Sequence, residues 1–337
     1  MTTQATAIGA MSTWRALNAA LHDAMAEDAT TFIVGEDITT WGTGGGIYGV
    51  TRKLDTAFGP TRVRNAPISE EVIVASAVGA ALAGARPIVE LMYSDFSLLA
   101  MDAIVNQAAK ARYMFGGQFD VPLVIRTNGG SQEGKAAQHS QSLETLFGHI
   151  PGLEVVVPGS PDDAYGLLRS AIRSPNPTIF LEHKSLYSRR GPVRRQEIPL
   201  GVADVVRPGG DVTVVATQLM RERALAAAEV LESERISVEV VDPRTLAPLD
   251  AETIVASVER TGRLVVAHEA PALYGYAGEL VALVVQRLWG RLAAPPVRLC
   301  GAHAPVPYAR TLEEALVPTT DDLVAGIREL VTESGQG

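Results

Sequence analysis

The chain has 337 residues, of which 47% are hydrophobic and 20% are charged, and its formal net charge is −9. This length favours two domains of ordinary size, and the composition is that of a globular protein rather than a disordered one. The acidic balance disfavours a nucleic-acid partner, because phosphate binding needs a basic surface, and the single cysteine, Cys300, excludes a disulfide framework and a cysteine-based zinc site.

Targeting and membrane segments are not expected. The N-terminal stretch "MTTQATAIGAMSTW" lacks the basic and apolar regions of a secretory signal. The longest uncharged run, around residues 72–85, is shorter than the roughly 20 residues that cross a bilayer. We therefore expect a cytoplasmic chain without membrane contact.

In the first half of the chain, predicted helices and strands alternate. Helices are expected from Ser12, from Ser69, over Asp95–Phe115, at "LETLFGHI" and at "SPDDAYGLLRSAIRS". Continuous apolar stretches predict buried strands at "TFIVGED", "RPIVELM", "VPLVIRT", "LEVVVPG" and "PTIFLEHKSLY". Such strands, separated by helices, predict a mostly parallel sheet covered on both faces.

The alternation stops over residues 188–210, which are rich in Arg, Pro and Gly, and resumes as a second α/β unit over residues 211–337. We therefore predict domains at 1–187 and 211–337, joined by a linker. Four arginines cluster in that linker, at Arg189, Arg190, Arg194 and Arg195. They are interpreted as a solvated linker, with a docking patch for an acidic partner as the alternative.

The glycine-rich stretch "WGTGGGIYGV" over residues 41–50 resembles a phosphate-binding loop only superficially. It lacks the Lys-Ser/Thr ending of a P-loop, and its glycines do not form G-x-G-x-x-G at a strand-to-helix turn. A flexible surface or active-site loop is the favoured interpretation.

In "APISEEV", Glu70 and Glu71 would lie in the first turn of a helix that Ser69 can cap. Helix-dipole stabilisation, worth about 0.3–1 kcal/mol each, explains both carboxylates structurally. The functional alternative is that a carboxylate at the end of a buried helix is poorly solvated and exchanges a proton.

His139 lies in the polar segment "EGKAAQHSQSLE", between a buried strand and a helix. A structural loop histidine is the simpler interpretation, but loops after strands of α/β sheets are also where such folds bind ligands. Tyr93 and Phe96 follow another strand; they could pack in the core or stack on a heterocycle.

Several motifs occur together in a fixed order: "IVGED", "APISEE", "ALAGARPIVELMYSDF", "MDAIVNQAAKARYMFGG", "AAQHSQSLE", "HIPGLEVVVPGSPDDAYGLL", "PTIFLEHKSLY", "VEVVDPRTLAPLD" and "LVVAHEA". Over nearly the whole chain they resemble the β subunit of thiamine-diphosphate-dependent 2-oxo acid dehydrogenases, the decarboxylating component of pyruvate, branched-chain and acetoin dehydrogenase complexes. The resemblance implies a pyrimidine-binding-type thiamine diphosphate domain followed by a transketolase C-terminal-like domain.

The resemblance also implies roles for individual residues. Glu70 matches the glutamate that hydrogen-bonds the aminopyrimidine of the cofactor, and Ile68, Met92 and Phe96 match positions that line the aminopyrimidine pocket. His139 matches a histidine near the reactive carbon that assists acyl transfer to a lipoyl arm. Glu71 is expected to be structural.

A potassium site is implied at a loop whose matching residues are Leu123, Ala171, Ile172, Ser174 and Asn176. In that loop many relatives have an acidic residue where this chain has Ser174. The family holds Mg²⁺ and the diphosphate through a Gly-Asp-Gly motif of the partner chain, and no such motif occurs here. The resemblance therefore implies an α subunit that supplies the other half of the site, in an α₂β₂ heterotetramer.

The predicted function is the β chain of a pyruvate-type 2-oxo acid or acetoin dehydrogenase, which with its α subunit reductively acylates a lipoyl group of an acyltransferase core. Two alternatives are half of a split transketolase-like enzyme and a non-catalytic assembly subunit. One departure from the resemblance is "APALYGYAGELV", which stands where many relatives carry a Gly-Gly-rich turn.

Overall fold

A computed structural model describes residues 9–39, 44–131 and 133–333 of the chain. Its contacts form two compact units: unit 1 contains Met1–Gly129 and Leu146–Leu200, and unit 2 contains Gly130–Thr145 and Gly201–Gly337. The break at residue 200 lies within the predicted linker. The segment 130–145, expected in the first domain, belongs instead to unit 2.

Unit 1 is built on a parallel sheet. The strands of the parallel sheet, in chain order, are β2 (Thr31–Gly35), β3 (Val63–Asn65), β4 (Arg86–Leu91), β5 (Val124–Gly129), β6 (Glu154–Val156) and β7 (Thr178–His183). Two further strands, β1 (Ala10–Ser12) and β8 (Arg190–Pro192), form a separate antiparallel pair. The neighbours in the parallel sheet run β6-β7-β5-β4-β2-β3. The predicted strands are present in this sheet, and β3 is an additional one.

The helices of unit 1 cover the sheet. They are α1 (Thr13–Glu27), α2 (Leu54–Phe58), α3 (Glu70–Leu82), α4 (Ala109–Met114), α5 (Glu144–Gly148) and α6 (Pro161–Arg173). The first two residues of α5 belong to unit 2. Helix α6 begins where the Ser160 side chain accepts a hydrogen bond from the Asp163 N–H at 3.1 Å, and its apolar face packs on α1 in the core.

The segment predicted as one helix over Asp95–Phe115 has three parts. A 3₁₀ helix (Ser94–Ala100) is followed by a π-helical stretch (Asp102–Ala108) and then by α4. Apolar periodicity does not distinguish these hydrogen-bonding patterns, so the single helix in the prediction was wrong in detail.

The arginine-rich segment is paired within unit 1. Arg194 Nε lies 2.7 Å from Asp162 Oδ2, and Arg190 donates to the Ala10 carbonyl at 3.1 Å. These contacts attach the arginine-rich segment to β1 and to α6.

Unit 2 contains a second, smaller sheet. Its strands are β9 (Asp204–Arg207), β10 (Val212–Ala216), β11 (Val238–Asp242), β13 (Leu264–Pro271) and β14 (Val297–Gly301), and a short strand, β12 (Thr245–Ala247), lies between β11 and β13 in the chain. The order β14-β13-β10-β11-β9 is parallel except for β9, which pairs antiparallel with β11.

The helices of unit 2 are α7 (Gln218–Glu232), α8 (Ala251–Thr261), α9 (Tyr276–Leu288), α10 (Arg310–Leu316) and α11 (Thr320–Glu333). One apolar cluster joins α7 and α11 to the sheet, and another joins α8 and α9. The fold is thus two α/β domains with mostly parallel sheets, as predicted. None of the helices in the described part of the chain combines the length and hydrophobicity needed to cross a membrane.

Candidate active site

One end of the unit 1 sheet carries the four residues predicted to form the aminopyrimidine pocket. Strand β2 pairs with both β3 and β4, so that Gly35 stands beside Asn65 on one side and Glu90 on the other. The chain leaves each of these parallel strands at the same edge. The predicted pocket residues follow β3 or β4 at this edge: Ile68, Glu70, Met92 and Phe96.

Glu70 is the first residue of α3, and only 8% of it is exposed, whereas Glu71 is exposed. Ser69 occupies the N-cap position, but its side chain makes no capping hydrogen bond. The carboxylate of Glu70 therefore lies against the positive end of a helix and largely out of water. The two adjacent glutamates have different environments.

Glu36, which was not among the predicted site residues, is a further acidic group at this edge. It follows β2 directly, and the backbone N–H of Ser69 donates to its carboxylate. Burial raises the pKa of Glu36, and the negative charge of Glu70 raises it further. Two interacting carboxylates at a sheet edge, one with a raised pKa, form a group that can hold and release a proton.

The apolar part of the site comes from the chain after β4 and before α3. Met92 and Phe96 are half-buried, and Ile68 is 82% exposed. The Phe96 ring lies 6.4 Å from the buried ring of Tyr93, over which Lys184 Nζ stands at 5.2 Å. Flat and apolar surfaces of this kind suit contact with a heterocyclic ring.

The glycine-rich loop reaches the same site. The first three residues of this loop, Trp41–Thr43, lie outside the described residues, while residues 44–50 are described. Gly46 adopts a φ of +70°, and a Cβ there would lie 2.6 Å from Glu90 Oε1 and 3.7 Å from Met92 Cε. The backbone of this loop thus approaches the site as closely as a glycine allows.

Below the site lies a buried group of charges. Arg126 donates from Nη1 to Glu90 Oε2 at 2.6 Å, and its Nε and Nη2 donate to the two oxygens of Glu182 at 2.7 and 2.8 Å. The hydroxyl of Tyr187 donates to Glu182 Oε2 at 2.6 Å. Burial raises the pKa of Glu90, and the charge of Glu182 adds to this effect against the opposing influence of Arg126.

His139 lies in the loop between β5 and α5, as predicted, but belongs to unit 2. It is half-buried, and its backbone N–H donates to the Ala136 carbonyl at 3.3 Å. The other predicted site residues belong to unit 1.

Two family models match the chain: the transketolase pyrimidine binding domain over residues 9–190 and the transketolase C-terminal domain over residues 201–323. The β subunit of an acetoin:2,6-dichlorophenolindophenol oxidoreductase from Cupriavidus necator is 46% identical over 326 residues, covering 93% of this chain and 95% of that protein. The Bacillus subtilis protein of the same name is 42% identical and covers 94% and 96%. Subunit beta-2 of the mitochondrial pyruvate dehydrogenase E1 component from Oryza sativa is 42% identical, covering 93% and 84%.

The chain belongs to the transketolase-like family of pyruvate and acetoin dehydrogenase β subunits. A solved structure entitled "Split gene transketolase, inactive beta4 tetramer" has a TM-score of 0.74 to this β subunit and covers 96% of it and 99% of that chain. The sequence identity is 23%, so this likeness shows the fold alone. The relatives above 40% identity favour the dehydrogenase β-subunit interpretation over the split transketolase.

The residues predicted to bind potassium come together in the β subunit, but the carbonyl groups of four of the five already accept hydrogen bonds. Arg86 Nη1 donates to the carbonyls of Ile172 and Ser174 at 3.0 and 3.3 Å. The Leu123 carbonyl accepts from the Thr178 N–H at 2.8 Å. The positive charge at this loop is thus supplied by a side chain, and the geometry gives no separate support for potassium, which stays a prediction.

The remaining two predicted ligands lie in the same loop. The Ala171 carbonyl accepts from the Ser174 N–H at 3.2 Å, and the N–H of Asn176 donates to the Ser174 hydroxyl at 3.1 Å. The Asn176 side chain donates to Glu154 at 3.0 Å. Hydrogen bonds within the β subunit account for the shape of the loop.

Proposed function

We propose that this chain is the β subunit of a thiamine-diphosphate-dependent dehydrogenase that acts on a pyruvate-type 2-oxo acid or on acetoin. The observation that carries the proposal is the buried Glu70 at the start of α3, coupled to Glu36 and flanked by half-buried Met92 and Phe96. The names of the relatives supply the class of reaction.

The residues present fit the aminopyrimidine part of the cofactor. An aminopyrimidine needs a carboxyl group at one ring nitrogen and apolar contacts on its faces, and this sheet edge offers both. When bound, the cofactor would supply a nucleophilic thiazolium carbon. Glu70 would exchange a proton with the ring nitrogen, while Phe96, Met92 and Ile68 would orient the ring and exclude water.

Two further residues would take part in proton transfer: Glu36 next to Glu70, and His139 during acyl transfer. Burial and the charge of Glu70 raise the pKa of Glu36, so Glu36 binds a proton more readily than an ordinary glutamate, and doing so would remove the charge repulsion between Glu36 and Glu70. His139 would hold or donate a proton at the substrate oxygen during acyl transfer to a lipoyl group.

The proposal requires a partner. No cluster of three or more His, Cys, Asp or Glu side chains suited to a metal ion occurs in the described part of this chain. We assign Mg²⁺ and the diphosphate to an α subunit, in an α₂β₂ assembly that delivers acyl groups to a lipoyl acyltransferase core. The exposed Ile68 and Val72, with 82% and 63% of their surface accessible beside Glu70, are apolar groups that such a partner would cover.

The test compares two adjacent glutamates. Glu70→Gln in the reconstituted α–β complex is expected to lower turnover of pyruvate, branched 2-oxo acids or acetoin by roughly 10²–10⁴-fold. Glu71→Gln, an exposed neighbour with the same charge change, is the matched control and should retain activity. Full turnover by Glu70→Gln would contradict the proposal, and turnover of sugar phosphates with no response to lipoyl domains would support the transketolase alternative.

A further inference from the structure

Residues 130–145, here called the His139 loop, leave unit 1 after β5 and fold with unit 2. Polar groups of unit 2 contact this loop on both sides of His139, at residues 131 and 134 and again at residues 144 and 145. The functional importance of these contacts rests on the role proposed for His139.

Two buried carboxylates bind the backbone of the loop. The Ser131 N–H donates to Glu269 Oε1, and the Gly134 N–H donates to Glu313 Oε2 at 3.0 Å. Only 9% of Glu269 and 1% of Glu313 are exposed. A buried carboxylate is costly unless hydrogen bonds compensate it, so these acids and the loop amides stabilise each other.

A third contact holds the end of the loop. His268 Nε2 lies 2.7 Å from Glu144 Oε1 and, because a carboxylate only accepts, the imidazole donates. The N–H of Tyr276 donates to the Thr145 hydroxyl at 3.2 Å. The ring of Tyr276 lies 3.9 Å from the ring of His268, which is itself buried.

Apolar packing leaves space on one side of the loop. A cavity of about 440 Å³ lies between loop residues such as Ala137 and Leu143 and the unit 2 segments 269–271 and 302–306. Ala136 has a φ of +61°, an unfavourable conformation for a residue with a side chain. Because the cavity provides no packing contacts on that side, hydrogen bonds have to maintain this unfavourable backbone conformation.

We propose that the C-terminal unit positions His139, with Glu269, Glu313 and the Glu144–His268 pair as the positioning residues. These groups do not touch the reacting atoms. They hold the loop at residues 131 and 134 before His139 and at residue 144 after it, so that the imidazole of His139 occupies one place rather than many. Loss of one of the carboxylate charges releases the loop without unfolding unit 2.

The first measurement is amide hydrogen exchange in the full chain, which needs neither cofactor nor partner. Glu313→Gln and, separately, Glu269→Gln are expected to speed exchange of residues 133–141 roughly ten- to a hundred-fold, the factor that corresponds to one lost charge-assisted hydrogen bond. Exchange in β10 and α7 should stay unchanged. Glu314→Gln, an exposed neighbour that pairs only with Arg310 among the described ion pairs, is the matched control.

The second measurement is kinetic, in the reconstituted complex. Both variants should lower kcat about tenfold at the step that is sensitive to His139→Ala. The KM for the cofactor should stay unchanged, because Glu70 and the residues proposed to contact the aminopyrimidine lie in unit 1, which these substitutions do not alter. Wild-type exchange in both variants overturns the proposal, as does faster exchange with an unchanged kcat. If His139→Ala itself retains full activity, the role proposed for His139 fails, and the exchange data still decide whether unit 2 anchors the loop.

Discussion

The buried charges under the site predict an asymmetry between two glutamates that contact the same arginine. Glu182 accepts two N–H groups of Arg126 and the hydroxyl of Tyr187, whereas Glu90 accepts a single N–H. Two carboxylates and one guanidinium carry one excess negative charge. Because burial raises the pKa of Glu90, that excess is relieved most easily at Glu90.

Replacement of each glutamate by glutamine should therefore have unequal effects. Glu182→Gln removes the bidentate counter-charge of a buried cation, which costs about 3–5 kcal/mol. Glu90→Gln leaves a balanced pair and an amide oxygen that still accepts from Arg126, at a cost of about 1 kcal/mol. For a unit of this size, 1 kcal/mol corresponds to roughly 2–4 °C in Tm, so we expect losses of roughly 6–20 °C and 2–4 °C, respectively.

Differential scanning calorimetry of the two variants and of Glu71→Gln, a surface control, makes the comparison. An equal fall in Tm for Glu90→Gln and Glu182→Gln would contradict the predicted asymmetry, since the two glutamates would then be equally important counter-ions of Arg126. A Tm equal to that of the control in both variants would contradict it as well.

Three further predictions follow from local geometry. Gly46→Ala should lower the free energy of unfolding by about 1–3 kcal/mol in urea titrations, because the new Cβ meets Glu90 Oε1 at 2.6 Å; Gly44→Ala, where nothing lies within 4 Å, controls for the positive φ. Burial raises the pKa of Glu36 above its ordinary value of 4.5, so the folded state binds a proton at Glu36 more tightly than the unfolded state does, and stability falls as the pH rises from 4.5 through the raised pKa. Glu36→Gln should flatten this part of the Tm–pH curve, and an unchanged slope would contradict the prediction. Asp250→Ala removes the N-cap of α8 and should lower the free energy of unfolding by about 1–2 kcal/mol. Asp250→Asn keeps an acceptor oxygen and should cost less; an equal loss in both variants would show that the capping hydrogen bond contributes nothing.

The fold was largely predictable because its strands are short, continuous apolar stretches separated by helices. β3 was missed, since three residues that include Arg64 carry too little pattern to be recognised. The order of strands in the sheet could not be deduced from periodicity either. It is this order, with β2 between β3 and β4, that brings Glu36 to the start of α3.

The candidate site was predictable only in part. The resemblance proposed Glu70 and His139 as site residues, which stay predictions, and the structure explains the burial of Glu70 by its position at the N-terminus of α3. The partners of the His139 loop lie far away in sequence: Glu313 is 179 residues from Gly134. Contacts at such separation leave no local pattern, and the same is true of Arg86 at the predicted potassium loop.

The sequence separation of these partners has a consequence for synthesis on the ribosome. Glu269 is made 138 residues after Ser131, and Glu313 is made 179 residues after Gly134. At a synthesis rate of about 5–20 residues per second, roughly 10–40 s pass between synthesis of the loop and synthesis of both acids. Unit 1 can form its core during that interval. A chain that ended near Leu200 would lack both acids, so the loop that carries His139 would not be held by them. On the proposed role, His139 is therefore positioned only after the second domain has been synthesised.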